Sequence, residues 1–314
     1  MMNTLTNTIN WSEKYRPITL DDICNQDNII NSLKNILITK NLPHLIFYGP
    51  SGIGKTSTIL TLAKYIFGDD YINHIAEFNA SEDRGINIIR DKIKLYAKQS
   101  ININKNFPPW KIIILDDADT LTQDAQYALR RIIEQYSNIT RFCIIFNNIN
   151  KIIGPIFSRF AVYRFKPINN TNIYNRLKYI IDKEQITVSE TLLNKIISIS
   201  DNDLRKAINL LQNYNSNIDF LSGYYPDINI LFTYILNKDT NNIHTFINNF
   251  FNDGYSLSLQ IKLFFDYILN MDLECNIKGQ ILNIIIEVDQ SLNKGCDEYI
   301  NFMKIIYFML IVIP

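Results

Sequence analysis

Leu45-Ile46-Phe47-Tyr48-Gly49-Pro50-Ser51-Gly52-Ile53-Gly54-Lys55-Thr56-Ser57 is the stretch that decides the fold of this chain. An apolar run leads into a loop that fits G-x-x-x-x-G-K-[ST] without a gap, and a helix-periodic run follows to Phe67. The order predicts strand, phosphate-binding loop and helix. Glycines let the backbone wrap close to phosphates while the loop N–H groups point inward. The helix N-terminus adds positive potential at the same point. Lys55 is placed to hold β- and γ-phosphates, and the Thr56 hydroxyl to bind Mg²⁺. Gly49, Pro50, Ser51, Gly52, Ile53, Gly54, Lys55, Thr56 and Ser57 together therefore predict a nucleoside triphosphate site. A Gly-rich turn matching by accident would lack the flanking strand and helix.

Outward from this loop, short apolar runs at 45–48, 75–78, 111–115, 141–146 and 161–165 alternate with helical stretches. The alternation predicts a parallel sheet with helices on its faces. Ligands of such sheets bind at the carboxyl ends of the strands. The loop at Gly49, Asp116 and Asn147 all follow such ends, so they are expected to converge. Past Pro167 the strands stop. Residues 171–212 read as a small helical unit whose last helix carries Leu204, Ala207, Ile208 and Leu211 on one apolar face. A Gly/Pro-containing loop at 221–226 marks a further boundary, and the remainder reads as all-helical.

The bulk numbers set limits. A chain of 314 residues suits two or three domains, and 47% apolar residues suffice for buried cores. Thirty-one basic and 31 acidic residues cancel, yet residues 130–166 carry seven Lys/Arg against the single acid Glu134, and residues 222–314 carry five Lys against ten acids. One part of the chain can face phosphates; ordinary surface scatter would give the same counts. The four cysteines are scattered with no C-x-x-C pair, which points away from a zinc site or disulfide scaffold and toward a reducing compartment. No apolar signal core is seen in residues 1–10, and the apolar run at 305–313 falls short of the roughly 20 residues a bilayer needs.

Chemistry-bearing residues cluster at the predicted strand ends. Ile112-Ile113-Ile114-Leu115 delivers Asp116 and Asp117. Asp116 is expected to bind the metal, directly or through water, and Asp117 to orient or deprotonate an attacking water. Asn147 ends the run 142–146, where an amide can hold the water or the γ-phosphate. Arg159 precedes the last strand and can reach across a subunit boundary, although the spacing alone favours an ordinary surface arginine. Ser81 is placed to cap the helix that follows it. Arg84 and Arg90, with Lys92 and Lys94, suit a nucleic-acid backbone, and a solvated helix face is the alternative.

Taken in order, these motifs resemble a small subunit of the replication factor C clamp loader, an AAA+ ATPase. The resemblance runs over residues 11 to about 212. It rests on Trp11-Ser12-Glu13-Lys14-Tyr15-Arg16-Pro17, Asn41-Leu42-Pro43-His44-Leu45 with the loop after it, Asn79-Ala80-Ser81, Arg84-Gly85-Ile86, Ala125-Gln126-Tyr127-Ala128-Leu129-Arg130-Arg131, Thr140-Arg141-Phe142-Cys143 and Asp203-Leu204-Arg205-Lys206-Ala207. It implies an α/β AAA+ P-loop ATPase core over 1–166, a small helical lid domain over 167–224 and an all-helical collar over 225–314. It further implies ATP and Mg²⁺ as ligands, with Tyr15, Arg16 and Pro17 enclosing adenine. Asn147 and Arg205 would read the γ-phosphate, and Arg159 would act in trans on a neighbour's ATP. Arg84, Arg90 and Lys151 would track the DNA backbone. The implied partners are the other subunits of a hetero-pentamer, a ring-shaped sliding clamp and primer–template DNA. The implied place is a site of DNA replication inside the cell.

Three positions depart from the family pattern. Asp117 stands where the family has Glu, which withdraws the carboxylate by about 1.5 Å. Phe160 replaces Cys after Arg159, and Asn202 replaces Gly before Asp203. The first departure opens, beside a hydrolysing subunit, the reading of a nucleotide-binding structural subunit that barely hydrolyses. A third reading, independent of it, is a relative in the same superfamily such as a checkpoint-type loader subunit or a branch-migration motor.

Overall fold

In the computed structural model, residues 10–39, 42–81, 86–99, 107–216, 226 and 228–313 are described. Contacts divide the chain into two units, Met1–Ser216 and Asn217–Pro314.

The first unit is built on a five-stranded sheet of β1 (Leu45–Tyr48), β2 (Ile75–Asn79), β3 (Lys111–Asp116), β4 (Thr140–Phe146) and β5 (Ala161–Arg164). The order is β2-β3-β4-β1-β5, and every pairing is parallel. Residues 112–115 and 142–146 are buried throughout. Parallel strands covered on both faces need apolar residues at successive positions, so the runs do not alternate. Full burial of each such side chain stabilises the fold by about 1.5–3 kcal/mol. A charge at Ile113, which has no exposed surface, would break this layer. The register sets Leu45 opposite Cys143 and Ile114 opposite Cys143 on the other side. The carboxyl ends of β3, β4 and β1 are thereby brought side by side.

Helices α1 (Trp11–Lys14), α2 (Asp27–Thr39), α3 (Lys55–Phe67), α4 (Tyr71–His74), α5 (Ile86–Lys98), α6 (Gln123–Tyr136) and α7 (Gly154–Phe157) accompany the sheet. The α3 helix begins at Lys55, two residues before the sequence pattern suggests, because the phosphate loop feeds it directly through Gly54 at φ +94°. The Ser81 hydroxyl and N–H both donate to Asn79 Oδ1, at 2.7 and 3.0 Å, and the N–H groups that the predicted Ser81 cap would accept lie outside the described residues.

Three further helices, α8 (Asn170–Glu184), α9 (Glu190–Ser200) and α10 (Leu204–Ser216), follow the last strand. Ile173, Leu177 and Ile180 of α8 pack with Ile196 of α9 and Ala207, Ile208 and Leu211 of α10 as buried residues at helical spacing. Leu204, on the same face, is only partly buried and borders the cleft described below, as Ile208 does. The α9–α10 turn is made by Asp201 and Asn202 at φ +52° and +64°. Asn and Asp enter this region more readily than other side chains, which is how the turn survives without glycine.

The second unit contains α11 (Ile228–Leu236), α12 (Thr240–Asn252), α13 (Leu257–Asn270), α14 (Cys275–Asn293) and α15 (Glu298–Val312). Phe232, Phe250, Phe264 and Phe302 anchor its core, with Phe302 ringed by Phe250 and Phe264 at 4.9 and 5.3 Å. Among the described residues, no helix is long and apolar enough to cross a membrane.

Candidate nucleotide site

The phosphate loop turns on Gly49, Gly52 and Gly54, all at positive φ. A Cβ at Gly49 would fall 2.6 Å from the Phe165 carbonyl oxygen, so the loop leaves β1 too close to the next chain segment for any side chain. Lys55 then opens α3 and turns back into the loop. Its ammonium donates to the carbonyls of Gly49 and Pro50, at 2.7 and 2.5 Å, and to Asn147 Oδ1 at 2.9 Å. Burial pulls the Lys55 ammonium down to about 8, against the pull of Asp116, Asp119 and Asp117, which favour its charge. The next residue, Thr56, donates its hydroxyl to Asp116 Oδ2 at 2.7 Å. A hydroxyl and a carboxylate at this spacing are two oxygen donors of the kind Mg²⁺ takes, and the adjacent lysine and helix N-terminus are of the kind that suits phosphate.

These groups sit in one cleft. Its lining includes Tyr15, Arg16, Pro17, Ser51, Gly52, Ile53, Gly54, Lys55, Thr56, Ser57, Asp116, Asp117, Asn147 and Arg205. Gly49 and Pro50 back it through the carbonyls that hold Lys55. Asp117 takes the left-handed backbone φ +49°, ψ +39°, so its side chain leaves the strand at a different angle from that of Asp116. The wall near Tyr15 is tied to the helical unit. The Tyr15 hydroxyl donates to Glu184 Oε1 at 2.5 Å, Arg176 donates to the Tyr15 carbonyl at 2.8 Å, and the Trp11 N–H donates to Gln212 Oε1 at 2.9 Å. Burial, followed by the Glu184 bond and charge, pushes the Tyr15 phenol up to about 12.

Several contributors escaped the sequence reading. Asp119 accepts from the backbone N–H groups of Asn147 and Asn148, at 2.6 and 3.0 Å, and so sets the loop that carries Asn147. Its signal was present as the third acid in Asp116-Asp117-Ala118-Asp119. Gln126, buried in α6, donates to the Lys151 carbonyl at 2.9 Å and accepts from the Ile153 N–H at 3.0 Å. Arg176 also lines the cleft, and nothing in the spacing of α8 marks it.

The remaining predicted residues lie elsewhere. Arg159 does not line the cleft; it is partly exposed, pairs with Glu134 at 2.8 Å and donates to the Pro155 carbonyl. Phe160, beside it, is buried against His44 with ring centroids 5.3 Å apart. Lys151 is exposed and borders a second cleft with Asp119, Gln126 and Tyr127. Arg84 lies outside the described residues, and of Arg90 only its place in α5 is described.

A parallel sheet of this order, a phosphate loop beside a carboxylate-bearing strand and a helical lid that delivers an arginine define an AAA+ ATPase. Solved structures agree on the fold: the Thermotoga maritima RuvB Holliday junction branch migration motor superposes with a TM-score of 0.51 at 16% identity, over 66% of this chain and 67% of that one. Residues 25–169 match the family described as DNA polymerase III, delta subunit, residues 175–213 the RCF1/5-like AAA+ ATPase lid domain, and residues 226–307 the replication factor C C-terminal domain. Replication factor C subunit 2 of Saccharomyces cerevisiae is 38% identical over 94% of this chain and 91% of its own length. Replication factor C subunit 4 of Arabidopsis thaliana is 39% identical over 94% and 93%. The replication factor C small subunit of Aeropyrum pernix is 47% identical over 64% and 61%. The chain belongs to the replication factor C family and is a clamp-loader subunit of DNA replication.

Proposed function

We propose that this chain binds Mg²⁺-ATP at Gly49–Thr56 and uses its hydrolysis to help open a sliding clamp and load it onto primer–template DNA. The convergence of Lys55, the Thr56–Asp116 pair, Asn147 and Arg205 in one cleft carries the reading. Bound ATP with Mg²⁺ supplies the cleavable phosphoanhydride and the positive charge that offsets negative charge in the transition state. The chain's own residues do the rest. The loop N–H groups and Lys55 bind phosphate oxygens. Thr56 and Asp116 hold the metal. Asp117 orients the attacking water and takes its proton, and Asn147 positions that water against the γ-phosphate. Arg205 reaches the γ-phosphate from the lid, while Tyr15, Arg16 and Pro17 wall the base.

Arg159 acts outward, on the ATP of the adjacent subunit in a hetero-pentamer. Its exposure and its absence from the lining of this chain's own cleft support that role. Arg84, Arg90 and Lys151 grip DNA phosphates without reading sequence, which makes DNA binding salt-dependent. We divide the chain into an ATPase core at 1–166, a lid at 167–224 and a collar at 225–314 that joins subunits. It works where DNA is replicated, in the nucleus if the host is a eukaryote.

The test is the ATPase of the assembled complex, stimulated by primed DNA and clamp. Lys55→Ala should abolish nucleotide binding by this subunit and lower the stimulated rate. An unchanged rate together with unchanged nucleotide binding would sink the assignment.

A further inference from the structure

The first turn of α10 is fastened to the phosphate loop by one carboxylate. Asp203 Oδ1 accepts the Lys206 N–H at 2.9 Å and so caps the helix. Asp203 Oδ2 accepts the Ser51 hydroxyl at 2.8 Å, across 152 residues of sequence. The fit is tight: a Cβ at Gly52 would lie 1.7 Å from Asp203 Oδ1, so glycine is required there by contact as well as by its φ of +66°. Arg205, two residues past Asp203, lines the cleft from the same turn.

We infer that Asp203 is a positioning residue: through Ser51 it latches the lid to the phosphate loop and thereby sets where Arg205 stands over the nucleotide. Asp201 and Asn202, both left-handed, form the turn immediately before Asp203, inside the lid. A lid loosened from the phosphate loop would carry Arg205 away from a γ-phosphate. With the bond made, the loop and the first turn of α10 move as one piece. The inference rests on the ATP reading for its consequence and on the Ser51–Asp203 bond alone for its structure.

The experiment separates these two parts. Ser51→Ala removes the latch and leaves the cap. Asp203→Ser keeps a capping hydroxyl that is too short to reach Ser51. Hydrogen exchange of residues 204–216, measured without nucleotide on the full chain, should quicken by about threefold or more in both variants. The preference for ATP over ADP, by competition with a fluorescent nucleotide, should fall by a similar factor. The double variant should be no worse than either single one, because both remove the same bond. Exchange at the wild-type rate in Ser51→Ala, or additive effects in the double variant, would overturn the latch. If the wild-type chain bound no nucleotide, the ATP reading would fall while the exchange comparison still judged the latch.

Discussion

Asn147 Oδ1 accepts a hydrogen bond from the Lys55 ammonium at 2.9 Å, joining residues 92 positions apart at the point where β1 and β4 end. The Asn147 backbone is held in turn by Asp119. Asn147 and Lys55 thus share one support, Asp119, which stands outside the lining of the cleft.

This support predicts a split between binding and chemistry. Asp119→Ala strands two N–H groups and frees the loop that aims Asn147. Misplacing a positioning group by about 1 Å costs on the order of a hundredfold in rate. Single-turnover hydrolysis should fall by about that factor, while fluorescent-nucleotide titration shows little change in affinity. An equal loss in both would mean that Asp119 acts through Lys55 instead.

Asp117 is the next test of chemistry against binding. Its left-handed backbone suits Asp better than Glu, whose longer side chain gains nothing locally from that conformation. Asp117→Asn should keep nucleotide binding and lower single-turnover hydrolysis by roughly 10²–10⁴. Asp117→Glu should extend the carboxylate toward the water and speed turnover, with a loss of about 1 kcal/mol in stability from the strained backbone. A rate in Asp117→Asn equal to wild type would remove Asp117 from the mechanism.

The sheet, the loop and the convergence of Asp116 and Asn147 were legible in the sequence because they rest on local signals: apolar runs of strand length, glycines at fixed spacing and acids at strand ends. Leu204 is less buried than its spacing suggests because the first turn of α10 borders the cleft. Asp203, Ser51 and Arg176 were not legible as partners. Ser51 and Asp203 meet only where the lid returns to the loop, and Arg176 meets the Tyr15 carbonyl only in the folded chain; no periodicity records contacts made across more than 150 residues. Asn202 was legible because the rule is local: a residue tolerant of positive φ was needed, and one was present.

Arg159 offers a prediction about the assembly. Glu134 pairs with both Arg130 and Arg159, at 3.0 and 2.8 Å, in an exposed cluster that holds the guanidinium at the surface. Such an exposed pair is worth little by itself, so an approaching phosphate can take Arg159 from Glu134 without a large penalty. Arg159→Ala should leave nucleotide affinity of this subunit unchanged and slow hydrolysis in the neighbouring site by about 10³ or more. Site-by-site quench-flow, with the other sites disabled, reads the difference. Normal hydrolysis at the neighbour would exclude the trans role.

His44 supplies a pH prediction outside the cleft. Its Nδ1 accepts the Phe142 N–H at 3.1 Å, so that nitrogen carries no proton in the folded chain. The ring lies between Phe142 and Phe160. Burial first, and the nearby Arg141 charge second, push the His44 imidazole down from 6.5 to about 4. Between those two values the unfolded chain binds a proton that the folded chain refuses. Stability is therefore complete above pH 6.5 and is lost as pH falls toward 4, by roughly 3 kcal/mol from this group. His44→Asn keeps an acceptor for the Phe142 N–H but cannot titrate. It should start less stable at pH 7, through lost ring packing, and then lose less stability than wild type on acidification. Urea unfolding at pH 7, 6, 5 and 4 measures both slopes. Parallel slopes for the two proteins would show that His44 contributes nothing to acid sensitivity.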